Sequence, residues 1–326
     1  MSIIETKQLS KHFKDTIAVD AISFTVKKGE IFGFLGPNGA GKTTTIKMLT
    51  TLLHPTKGAA HIAGFDIIKQ RNQVRKNIGV VFQEPALDTE LTGQENLDFH
   101  ARIYGMNTTQ RQERINEVLD LVDLTEKKDV LVKNYSGGMK RRLEIARGLM
   151  HCPTVLFLDE PTLGLDAQTR RAIWDYIKTM NKQETTTIFL TTHYMEEAEH
   201  LCDRVGIIDK GKILVMDTLE NLKTNVGQDV ITLSCSDMKQ FHDYLKKQTW
   251  VDNLKQRDTE LTFGVKKGEE KIPKVIEHAQ KLGIKVTSIS VRKPTLDDVF
   301  LHFTGRSIRN EAAENTMKQM MHFRGR

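Results

Sequence analysis

Long hydrophobic runs are missing from this 326-residue chain. The cleanest, such as Val155-Leu156-Phe157-Leu158, fall far short of the roughly twenty apolar residues that cross a bilayer, so no membrane span is expected. The start, Met1-Ser2-Ile3-Ile4-Glu5-Thr6-Lys7, has no basic flank leading into an apolar stretch, and no secretory leader is read there. Cysteine is scarce: Cys152, Cys202 and Cys235 are odd in number, far apart and without a Cys-x-x-Cys pair. That disfavours a disulfide framework and a zinc site, and the chain reads as cytosolic and reduced. Charge of one sign is weak too. Lys and Arg number 48 against 42 Asp and Glu, a net +6 that, spread over such a length, describes a solvated surface rather than a polyanion-binding patch.

What is present is enough chain for about two domains, 39% hydrophobic and 28% charged, the balance of a globular protein. Up to about residue 226, short apolar runs alternate with helical patterns. The runs are Ile31–Leu35, Ile78–Phe82, Val155–Leu158, Ile188–Leu190 and Val205–Ile208. They are apolar throughout, as parallel strands buried on both faces must be, and an α/β domain over 1–226 is expected. Residues 84–150 hold helical spacing and no apolar strand, which predicts a helical insertion. From 227 to 305 the order of patterns is βαββαβ followed by a helix, that of a small α+β ferredoxin-like module. Residues 306–326 carry five Arg or Lys against two Glu and read as a basic tail, flexible or weakly amphipathic.

The chemistry-bearing residues follow the apolar runs. Gly36-Pro37-Asn38-Gly39-Ala40-Gly41-Lys42-Thr43 fits G-x-x-x-x-G-K-[ST]. Its glycines let the backbone aim successive N–H groups at a polyphosphate, Lys42 would reach the β- and γ-phosphates, and the Thr43 hydroxyl would bind Mg²⁺, with Thr44 next in the same turn. The helix expected to open at Thr43 adds the positive end of its dipole. Asp159-Glu160-Pro161 follows the third run: Asp159 can hold Mg²⁺, and Glu160 can polarise an attacking water. Neighbouring side chains of an extended strand point to opposite faces, so both carboxylates serve one nucleotide only if the strand ends there. Gln83, after the second run, can coordinate Mg²⁺ or water. His193, after the fourth, can contact the γ-phosphate and place the nucleophile. In a parallel sheet these strand ends share one edge, where α/β proteins bind ligands. Ser136-Gly137-Gly138 opens a helix and offers a second anion site. Phe13 is either a stacking platform for adenine or a strand-core aromatic.

With these residues in place the chain resembles the ATP-binding subunit of an ABC transporter. The Walker A loop is 36–43, the Q-loop residue is Gln83, and the signature is Tyr135-Ser136-Gly137-Gly138-Met139. The Walker B strand is Val155–Glu160, the D-loop is Leu163-Gly164-Leu165-Asp166, and the switch histidine is His193. The segment Pro294-Thr295-Leu296-Asp297-Asp298-Val299-Phe300 and the appended module are most similar to the daunorubicin-resistance type. Tyr135, Met139 and Leu163 depart from the family's usual residues, while Ser136, Gly137 and Gly138 are retained. The resemblance implies a head-to-tail homodimer in which ATP lies between one Walker A loop and the partner's Ser136-Gly137-Gly138. It also implies a separate membrane permease docked around Thr92–Tyr104, drug export, and a peripheral position on the cytoplasmic membrane face. No nucleic-acid partner is expected. The alternative, a soluble ABC ATPase acting on ribosomes or nucleic acid, meets three difficulties: a single Walker A loop, no long heptad run between Lys42 and Ser136, and no aromatic-rich strand for base stacking.

Overall fold

Each of the five apolar runs forms a strand in the computed structural model, whose described residues are 1–226, 229–257 and 260–304. The described residues divide into two units, 1–217 and 218–304. The tail expected at 306–326 lies outside the described residues.

The first unit opens with a hairpin that the apolar runs do not announce. β1 (Ser2–Phe13) and β2 (Thr16–Lys27) pair antiparallel. Only Val19, Ile22, Phe24 and Val26 of β2 are buried, alternating from Ile22 on after a shift in register, so this is a one-faced sheet with no continuous hydrophobic run to betray it. β3 (Ile31–Leu35) and α1 (Lys42–Leu49) come next. β4 (Lys57–Ile62) and β5 (Phe65–Asp66) complete the antiparallel sheet in the order β2-β1-β4-β5. α2 (Arg71–Asn77) leads into β6 (Ile78–Val81).

Three helices follow: α3 (Gly93–Ile103), α4 (Thr108–Leu121) and α5 (Gly137–Leu149). Thr92, Asn107 and Ser136 cap their N-termini through side-chain oxygens, the placement such residues favour because they satisfy orphan N–H groups. Then come β7 (Val155–Asp159), α6 (Ala167–Glu184), β8 (Thr187–Thr192), α7 (Met195–Leu201), β9 (Arg204–Asp209) and β10 (Lys212–Thr218). The second sheet runs β10-β9-β3-β8-β7-β6, parallel at each of the pairs β9/β3, β3/β8, β8/β7 and β7/β6. Phe24 of β2 stacks on Phe32 and Phe189 of the parallel sheet at 5.8 and 5.9 Å between ring centres. That aromatic core fastens the two sheets together.

The second unit begins with α8 (Leu219–Val226). Its sheet is built from β11 (Asp229–Cys235), β12 (Asp252–Arg257), β13 (Glu260–Val265) and β14 (Val286–Arg292), with α9 (Met238–Leu245) and α10 (Gly268–Lys281) as crossovers. The order β12-β13-β11-β14, antiparallel throughout, is ferredoxin-like. Ile231, Leu233, Phe263, Phe241 and Val275 share its core. α11 (Leu296–Thr304) packs against α8 and buries Leu296, Val299 and Phe300. The second unit therefore begins before α8, not at 227 as the sequence suggests, because α8 packs on α11.

Candidate active site

β3 is wholly buried and delivers the chain to the 36–41 loop. A Cβ at Gly36 would lie 2.2 Å from the Ile208 carbonyl oxygen. Gly41 has φ +107°, and its Cβ would lie 2.5 Å from the Ala18 carbonyl. Only glycine fits either place. The Gly36 N–H donates to Thr192 O at 3.2 Å, Ala40 N–H closes a turn on Pro37 O at 3.2 Å, and Thr45 N–H bonds Gly41 O at 2.9 Å to start α1. The helix opens at Lys42, one residue before the sequence pattern suggests. Asn38 and Gly39 are exposed at the crest of the loop, and Thr43 and Thr44 are half-buried beneath it.

Lys42 is buried inside this curl. Its Nζ donates to Gly36 O (2.7 Å) and Pro37 O (3.1 Å) and lies 3.2 Å from Glu160 Oε1. Burial pushes its pKa down, and the Glu160 charge opposes that without cancelling it. Asp159, the last residue of β7, accepts hydrogen bonds from Thr43 Oγ1 (3.2 Å) and from Thr191 Oγ1. Glu160 takes φ +48°, the left-handed region that non-glycine residues rarely occupy. This backbone reversal answers the problem of two adjacent carboxylates. It ends the strand at Asp159, one residue before the proline could, and lets both side chains face the cradle. Glu160 Oε2 lies 3.0 Å from His193 Nδ1, in contact though not aligned as a hydrogen bond. Burial raises the Glu160 pKa, but His193 and the Lys42 charge outweigh it, and the net shift is downward. The carboxylate is therefore ionised at neutral pH.

Lys42, Thr43, Asp159, Glu160 and His193 thus meet in one cluster at the ends of β3, β7 and β8. Gln83 lies two residues beyond β6 on the same edge, exposed. Ser136-Gly137-Gly138 is elsewhere: Ser136 caps α5 through Met139 N–H at 3.2 Å, and among the described residues no hydrogen bond or ion pair joins these three to the cradle. Phe13 is 46% exposed at the tip of the β1–β2 hairpin, with Lys11 Nζ 5.1 Å above its ring. That excludes the strand-core alternative. Tyr135 is buried and donates to Lys127 O at 2.7 Å, so the family's departure at this position packs the loop before the signature rather than touching its anion-facing end. Two contributors escaped the sequence. Thr191 could have been suspected, since a polar pair, Thr191-Thr192, closes an otherwise apolar strand. Arg141, which bonds Asp159 O (3.2 Å) and Glu160 O (3.3 Å), carries no comparable signal.

Residues 19–163 match the ABC transporter family, and residues 218–304 match the family described as ATP-binding protein DrrA1-3-like, C-terminal domain. Linearmycin resistance ATP-binding protein LnrL of Bacillus subtilis (strain 168) is 38% identical over 312 residues, 94% of this chain and 100% of that protein. Nod factor export ATP-binding protein I of Cupriavidus metallidurans is 36% identical over 310 residues, 95% of this chain and 99% of that one. Among solved structures, the dimeric post-hydrolysis state of the ATP-binding cassette MJ0796 bound to ADP and Pi superposes with a TM-score of 0.59. It is 26% identical and covers 66% of this chain and 98% of that one.

Proposed function

The chain belongs to the ABC transporter family, and from that premise we propose that it is the ATP-hydrolysing subunit of an exporter, with its reaction centred on Glu160. The observation that carries this is the cluster at one sheet edge, in which a buried lysine, two carboxylates and a histidine meet at the ends of three separate strands. Loop 36–41 and the first turn of α1 present N–H groups to the substrate's phosphates. Lys42, released from Gly36 O and Pro37 O, pairs with the β- and γ-phosphates. Glu160, ionised and held against His193, accepts a proton from the attacking water, and His193 holds that water and the γ-phosphate in line. The oxygens of Thr43 and Asp159, already 3.2 Å apart, are the hard donors Mg²⁺ prefers, and Gln83 on the same edge is a third. Bound there, the ion would neutralise charge developing on the phosphates.

The separation of Ser136-Gly137-Gly138 from the cradle within one chain supports a head-to-tail homodimer in which each subunit completes the other's site. Export is in keeping with the name of the Nod factor relative, and resistance with that of LnrL. Neither name favours the ribosomal or nucleic-acid alternative. Among the described residues no helix is long and apolar enough to cross a membrane, and the reading takes the membrane-spanning permease to be a separate subunit. The surface proposed for it is the groove of about 260 Å³ lined by Leu52, Phe82, His100, Tyr104, Arg147 and His151, with Phe99 and Ile103 exposed nearby on α3. Docked in this way, the subunit would work at the cytoplasmic face of the membrane.

E160Q tests the assignment. It is expected to bind ATP normally, to turn over about a thousandfold more slowly, and to accumulate as a closed dimer on gel filtration with Mg-ATP. Turnover close to wild type would move the base to another residue.

A further inference from the structure

Arg141 lies one turn into α5, buried, and touches none of the groups given a chemical role above. Burying a guanidinium is costly unless its donors are met, and here they are. Nε donates to Pro161 O at 2.6 Å. Nη1 donates to Phe82 O at 2.7 Å and to Glu144 Oε2 at 3.0 Å. Nη2 donates to Asp159 O at 3.2 Å and to Glu160 O at 3.3 Å. A single planar fork therefore gathers three consecutive carbonyls, 159 to 161, together with the carbonyl that precedes Gln83.

Those three carbonyls belong to the turn in which Glu160 adopts φ +48°. A non-glycine residue persists in that region only where its surroundings over-determine it. On one side of the turn Thr191 O accepts from Glu160 N–H at 3.1 Å, and on the other is Arg141. The same stretch of α5 also grips the far end of the Gln83 segment. Glu144 Oε1 accepts from Ala86 N–H at 2.7 Å, and Arg147 donates to Ala86 O. Gln83 is thus flanked by two anchors on one helix face, and one of those anchors also holds the Glu160 turn.

We propose that Arg141 is a positioning residue: it holds the backbone of Glu160 in the reversed conformation that aims its carboxylate at His193, and it makes that aim depend on the Gln83 segment and on α5. A displacement of residues 82–86, or of the helix that opens with Ser136-Gly137-Gly138, reaches the base through one guanidinium. Lysine cannot replace it, since an ammonium is a point donor that cannot span Phe82 O and the 159–161 carbonyls together. The inference rests on Glu160 being the base, as proposed above.

The test uses R141K and E144Q in the full chain, each also combined with E160Q. R141K is expected to lower kcat about a hundredfold, the scale of a small misplacement of a reacting group. The KM for ATP should stay within about threefold, since the cradle is untouched. E144Q keeps the fork but loses its charge partner and one Ala86 anchor, and should lose about fivefold in kcat with the same unchanged KM. Should R141K not yield folded protein, E144Q carries the test alone. In the E160Q background either substitution should change the residual rate by less than about twofold, because the group it positions is no longer a base. A structural defect would instead multiply with E160Q. Wild-type kcat in the folded variants, or multiplying losses, overturns the proposal. Full turnover by E160Q itself removes the base and this inference together, whereas wild-type turnover by R141K beside an inactive E160Q removes the inference alone.

Discussion

Both units of the chain carry exposed ion pairs, but among the described residues the first alone also buries charge. In the first, ionisable side chains from distant strands are taken out of water and brought together: the Lys42 and Glu160 side chains are 4% and 9% exposed, and Arg141 and Glu144 are as deeply buried. In the second, the ion pairs lie in solvent. Lys267 pairs with Glu270, Lys281 with Glu277 and Arg292 with Asp298, each within a turn or so of sequence and each largely exposed on its basic side. Burying a charge costs several kcal/mol before any partner offsets it, whereas an exposed pair contributes under about 1 kcal/mol. A protein carries the first kind of cost where position matters chemically. The contrast assigns reaction to the first unit and leaves the second a conventional fold, one apolar sheet face covered by two helices.

The largest expected effect breaks the cluster at its centre. K42A should lower ATP affinity more than about a hundredfold and abolish turnover, because it removes the buried cation at the loop and leaves Glu160 without that charge partner. Equilibrium binding of a fluorescent ATP analogue, with folding checked by circular dichroism, measures it. Tight binding by K42A would make the first unit's buried charges structural, and the contrast between the units would fail.

Much of this first unit could be read before the structure. Its parallel strands are buried on both faces and so are written as unbroken apolar runs, and parallel order sends their ends to a common edge. The cradle's glycines are legible for the same physical reason that they are required: a Cβ at Gly36 or Gly41 has nowhere to go. Other parts are hidden because residue type does not encode them. β2 buries Val19, Ile22, Phe24 and Val26 between small and polar neighbours such as Asp20, Ser23 and Thr25, so its hydrophobic signal is diluted. The reversal at Glu160 is a backbone state that no glycine announces, held by hydrogen bonds to residues far away in sequence. Arg141 sits in Met139-Lys140-Arg141-Arg142, where a basic residue on a helix reads as a solvated face. Only the tertiary fold shows which of the three turns inward.

A smaller effect sharpens the contrast through pH. His100, in the groove on the first unit, has its pKa pushed down to about 4 by burial first and then by the charges of Arg147 and His151. In the unfolded chain a histidine titrates near 6.5. The unfolded state therefore binds this proton more readily than the folded one, and the linked stability is lost as pH falls from about 6.5 toward 4. Full conversion of the shift would give about 3 kcal/mol, and partial exposure of the ring reduces that to no more than about 2 kcal/mol. H100Q cannot take up the proton, so its melting temperature should fall less than that of wild type between pH 7 and pH 5. Parallel pH profiles for the two proteins would show that water reaches the ring freely and that this groove resembles the second unit's surface.

The smallest effect is expected in the second unit, at the segment that marks the subfamily resemblance. Asp298 accepts from Thr295 N–H (2.9 Å) and Thr295 Oγ1 (3.0 Å), and Thr295 Oγ1 accepts from Asp298 N–H at 3.4 Å, a reciprocal cap on the first turn of α11. It also receives Arg292 through Nη1 at 2.6 Å and Nη2 at 3.1 Å. With side-chain exposures of 52% for Arg292 and 27% for Asp298, the ion pair is well screened and the cap carries most of the effect. D298A should therefore cost about 1 kcal/mol, seen as a lower urea midpoint by circular dichroism, with ATP turnover per folded molecule unchanged. A loss above about 3 kcal/mol would mean that this carboxylate is as dependent on its partners as Glu144 is on Arg141, and that the second unit, too, holds a charge out of water for a purpose.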